Sequence, residues 1–195
     1  MQATQTLPAE YQPCFSFDVN HDLRLALVLN VAAIGLFFIV YPGMHWIALQ
    51  LRPDQLDVAE INQGESLLLA LGIFLVVIVH ELLHGAFFWL FTKAPPVFGI
   101  KLWYAYASAP GWYLPFFSFM VTGLAPLVGI TALGTASLLF LPASFVSEAV
   151  LLICLNAAGS AGDLYVVAQL LRQPKGVLIE DQGESIQFYL PGHAN

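Results

Sequence analysis

Charge is scarce in this chain. Only 10% of its 195 residues are charged, against 58% hydrophobic. A soluble domain carries roughly 25% charged residues, so this one has too few to cover a globular surface. A bilayer removes that requirement, and the composition predicts an integral membrane protein. Basic residues are rarer still: six Lys and Arg with no cluster exclude a phosphate-binding face, so no nucleic-acid partner is expected. Cys14 and Cys154 are the two cysteines. Their spacing matches neither a metal knuckle nor a disulfide framework, and both read as free thiols. The first 22 residues are polar and lack an apolar h-region, so no cleavable signal peptide is expected. No internal repeat or low-complexity tract is present.

What the chain has in abundance is long apolar runs. A spanning helix needs about 20 mostly apolar residues, and four segments reach that length: about 23–41, 66–91, 114–141 and 145–171. The first is predicted to stop at Pro42-Gly43, and Pro126 lies inside the third. Between the second and third, Ile100, Leu102, Tyr104 and Tyr106 alternate with Lys101, Trp103, Ala105 and Ala107. This period of two reads as a strand, with Ser108-Ala109-Pro110-Gly111 as its turn. Residues 177–179 and 186–189 flank Asp181-Gln182-Gly183-Glu184 as a short C-terminal hairpin. The expected fold is thus an all-α transmembrane bundle of about four spans, with two small hairpins, in one domain over 1–195.

The formal net charge of −7 comes from acids in the stretches 1–22, 52–65 and 180–184. Four spans place both termini on one side, with Arg24, Lys93, Lys101, Arg172 and Lys175; only Arg52 falls on the other. The positive-inside rule then puts the termini and the 93–113 loop in the cytoplasm and the acidic 52–65 loop outside. A periplasmic or extracellular signal from a C-terminal topology reporter would refute that orientation.

The few ionisable residues inside the spans carry the most information. His80, Glu81 and His84 lie within five positions of the second span. A charged group at the bilayer centre costs at least about 2.5–3.5 kcal/mol, and metal coordination would compensate it. Residues i and i+4 share a helix face, so His80 and His84 can present imidazoles to one zinc ion at about 2.0–2.1 Å. Glu81 follows the first histidine, the position that in zincins places a general base beside the water that the metal activates.

Two histidines leave a catalytic zinc one protein ligand short. His21, His45, His193, Glu148 and Asp163 remain. His45 beside Trp46 suits an interfacial belt. His84 precedes Lys93 by nine residues, and Asp163 precedes Arg172 by nine. Each lies about 13 Å from its basic helix end, whereas Glu148 would lie about 22 Å further out. Depth selects Asp163. Asn156, Gly159, Ser160 and Asp163 fall at i, i+3, i+4 and i+7, a stripe whose small residues would let the helix approach span two at Gly85. Asn156 could bind substrate, orient a ligand, or simply join helices.

These residues resemble a known family. HELLHG in one span and a deep aspartate in a later one are similar to the site-2 intramembrane metalloproteases. The closer resemblance is to small bacterial membrane proteins called putative zincin peptidases, through Tyr104-Ala105-Tyr106-Ala107-Ser108-Ala109-Pro110, Ala125-Pro126 and Gly162-Asp163. It covers about residues 65–171. It implies zinc on His80, His84 and Asp163, Glu81 as catalytic base, a β-hairpin near the site whose edge could pair with extended substrate, and a bacterial inner-membrane location. The site-2 pattern of Asn-x-x-Pro before Asp-Gly is not kept: Gly159 stands in the proline's place, and Asp163 is followed by Leu164-Tyr165.

The expected function is an intramembrane zinc peptidase acting on membrane-embedded or membrane-adjacent proteins or peptides within the lipid bilayer. Two rivals exist. One is a non-catalytic zinc protein with a structural or regulatory role. The other is an ion or proton carrier using Glu81 and Asp163, which the lack of inverted repeats disfavours.

Overall fold

A computed structural model describes residues 2–18, 22–53, 63–101 and 104–192. His21, His193, Leu102, Trp103 and most of the acidic 52–65 loop lie outside the described residues. The chain is mostly helical. Three helices are long and apolar enough to cross a membrane, or up to four if one bent pair is counted as a span. They are α1 (Leu23–Leu51), α2 (Gln63–Thr92) and α3 (Phe116–Ser137); the bent pair is α4 (Val146–Gly159) with α5 (Ala161–Leu171). Their apolar side chains stay largely exposed, among them Leu27, Val31 and Phe38 on α1 and Leu67, Leu71 and Phe74 on α2. Lipid would cover such surface; water would not.

Three expectations about the helices need correction. α1 does not stop at Pro42-Gly43 but runs on to Leu51. Proline is tolerated in spanning helices, and continuing buries Met44 and Ala48 in an apolar cluster with Leu138, Val146, Val150, Ile153 and Cys154. α3 begins at Phe116 rather than 114, because Tyr113–Pro115 is drawn into a strand. The fourth apolar segment is not one straight helix. It breaks at Ser160, whose N–H and hydroxyl both turn back to the Asn156 carbonyl, each at 3.0 Å. Asn156 and Asp163 therefore do not share one helical stripe.

The chain divides into two compact units. One comprises Met1–Val28, Glu81–Ala125 and Gly162–Asn195; the other comprises Leu29–His80 and Pro126–Ala161. The boundaries fall inside α1, α2, α3 and α5.

Among the described residues, the strands all lie in the first unit. A hairpin pairs β2 (Val97–Ile100) with β3 (Ala105–Ser108), with Val97 opposite Ser108 and Ile100 opposite Ala105. The single strand read over 97–107 is thus two paired strands, Val97–Ile100 and Ala105–Ser108. Gly99 makes this possible: it faces Tyr106 across the ladder, and a Cβ there would collide with the tyrosine ring. A four-stranded antiparallel sheet is ordered β1 (Tyr11–Asp18), β6 (Ser185–Pro191), β5 (Leu178–Asp181), β4 (Tyr113–Pro115). The C-terminal hairpin is present as β5–β6, but inside this larger sheet. Strand β1 comes from the stretch that composition marked only as polar. It is an edge strand with a register shift between Pro13 and Phe15, the setting in which a strand accommodates proline.

Candidate metal centre

The site is built from side chains that helix geometry aims. On α2, His80, Glu81 and His84 occupy one turn. Within the first unit, His84 is buried and its Nε2 lies 3.4 Å from Asp163 Oδ1. The bend at Ser160 places Asp163 in the first turn of α5. One nitrogen each from His80 and His84 and one Asp163 oxygen lie within 4.8 Å of one another, a group that can hold a metal ion. Glu81 is half-buried beside them.

The histidine contacts decide which nitrogens are available. His84 Nδ1 lies 2.9 Å from the Thr122 carbonyl oxygen, which can only accept, so Nδ1 carries the proton. His80 Nδ1 lies 3.0 Å from Asn156 Oδ1. The Asn156 amide is oriented by its own Nδ2, which donates to the Pro126 carbonyl at 3.3 Å. In both histidines Nδ1 thus carries a proton, and Nε2 is the nitrogen left to take an ion. Metal-ligating histidines characteristically donate their other ring N–H in this way. A tetrahedral ion with bonds of about 2.0–2.1 Å separates neighbouring donors by roughly 3.3–3.4 Å, close to the spacing of His84 and Asp163. The donor set fits zinc.

Of the other residues weighed as ligands, His45 lies within α1, stacked on Tyr41, and Glu148 lies in the first turn of α4. Gly85 does not receive the Asp163 helix. The Phe98 ring of β2 and Pro96 occupy the space where its Cβ would be, which anchors the hairpin one residue after His84.

Two contributors were not expected from sequence. Thr122 acts through a main-chain oxygen, which leaves no trace in residue type. Asp181, the last residue of β5, looked like one polar residue among four in a turn. Its carboxylate accepts the Gly183 N–H at 2.8 Å and lies near enough to Asp163 and Glu81 for their negative charge to favour its protonated form. Burial, the largest influence, raises it to about 7, against the pull of the Gly183 N–H. Two contacts bring that turn to the β2–β3 hairpin. The Tyr106 ring packs on Gly183, which has a positive φ of 87°, and Lys101 Nζ meets Glu184 at 2.6 Å.

An apolar helical protein with two histidines one turn apart, a glutamate between them and a distant aspartate has the donor chemistry of a zinc hydrolase. A family model described as putative zincin peptidase matches residues 73–178. That is just over half of the chain, and the protein belongs to this family. No curated protein and no solved structure matches it.

Proposed function

We propose that the protein is an intramembrane zinc metallopeptidase that hydrolyses peptide bonds of membrane-embedded or membrane-adjacent substrates. The observation that carries this reading is the donor group of His80, His84 and Asp163 within 4.8 Å, with Glu81 on the same helix turn. His80, His84 and Asp163 would hold one zinc ion, which when bound would polarise a substrate carbonyl and acidify water. Glu81 would accept the proton of the attacking water as general base and return it to the leaving amine. Thr122 and Asn156 keep both imidazoles in the tautomer that offers Nε2. The protein is a multi-pass protein of the bacterial inner membrane with both termini in the cytoplasm.

Purified protein should contain one zinc per chain and cleave members of a membrane-peptide library, read by mass spectrometry. Glu81→Gln should keep the zinc and lose about 10²–10⁴-fold in rate. Undiminished cleavage by Glu81→Gln refutes the mechanism. Zinc without cleavage in the wild type supports a structural or regulatory role instead.

A further inference from the structure

Pro126 stands inside α3 and is fully buried. Proline has no N–H, so the carbonyl four residues earlier loses its α-helical donor. That carbonyl belongs to Thr122, itself 1% exposed. A buried main-chain oxygen needs a replacement partner, and the one it finds is His84 Nδ1, at 2.9 Å. The Pro126 carbonyl has a second task. It accepts Asn156 Nδ2, and Asn156 Oδ1 meets His80 Nδ1. One proline thus bears on both histidines: on His84 through the hydrogen bond it withholds, and on His80 through the oxygen it offers.

We propose that Pro126 is a positioning residue for the metal centre, which releases the Thr122 carbonyl to fix His84 with Nε2 toward the ion. This rests on the zinc site proposed above but not on its catalysis. A proline that merely bends α3 would affect stability and leave the metal alone. A proline that orients a ligand affects the metal first.

Pro126→Ala restores an N–H that competes with His84 for the Thr122 carbonyl. Zinc affinity should fall by about 10–100-fold, the usual effect of losing a partner behind a ligating histidine. The visible spectrum of the cobalt-substituted protein should change, while the metal-free protein melts at the same or a higher temperature. Pro42→Ala restores the same kind of bond in α1 and should leave zinc affinity unchanged. Wild-type affinity in a folded Pro126→Ala protein overturns the proposal, as does an equal loss in Pro42→Ala. If Pro126→Ala does not fold, imidazole ¹⁵N spectra of the zinc-free wild type decide: His84 should be the Nδ1–H tautomer, and the Nε2–H tautomer overturns it. A wild type that binds zinc but cuts nothing removes the peptidase and leaves this inference standing. A wild type that binds no zinc removes both.

Discussion

His84 Nε2 and Asp163 Oδ1 stand 3.4 Å apart, on helices far separated in sequence. This spacing suits two donors on one tetrahedral ion, and it has a direct consequence. Asp163→Ala should lower zinc affinity by on the order of a hundredfold or more, since it removes a ligand and not a partner behind one. Isothermal titration or competition with a chelator reads the loss, and helix content by circular dichroism should hold. Unchanged affinity would place the third ligand elsewhere.

Gly85 lets the Phe98 ring lie against α2 beside His84. Gly85→Ala should push the ring away and loosen the β2–β3 hairpin by about 1 kcal/mol, or roughly fivefold faster amide exchange at Phe98 and Ile100. Exchange detected by mass spectrometry checks this. Adding Phe98→Ala should remove the clash, so the double variant should show no further acceleration from Gly85→Ala.

Asp181 supplies a pH dependence whose sign follows from its raised value. Burial, the largest influence, holds the folded carboxyl near 7 against an ordinary value of 3.8. The folded protein then binds this proton more tightly than the unfolded chain. Stability from Asp181 is present at low pH and is lost as the pH rises from about 4 to about 7. In metal-free protein, Asp181→Asn should remove this downward slope from melting temperatures taken across that range in detergent. A slope identical to wild type would assign it to another group.

Local order was legible in the chain to the extent that local rules set it. Helical periodicity alone puts His80 and His84 on one face, and apolar length alone marks the spans. The alternation at 97–107 signalled strand structure, but not that Gly99 lies opposite Tyr106 and leaves room for its ring. Within the polar first 22 residues the alternation Phe15-Ser16-Phe17-Asp18 is the only sequence trace of β1, too short to stand out without its partner β6. Matched depth suggested Asp163, yet it gave no sign of the bend between α4 and α5 at Ser160, whose hydroxyl bonds back to the Asn156 carbonyl.

By itself, then, the sequence determined the membrane character, the histidine–glutamate turn and the chemistry that turn can perform. These follow from composition and from spacing within one helix. Only the tertiary structure decided which oxygens hold each imidazole, where Asp181 points its charge and what fills the space at Gly85. Those contacts join residues distant in the chain, and a main-chain oxygen such as that of Thr122 belongs to every residue type alike.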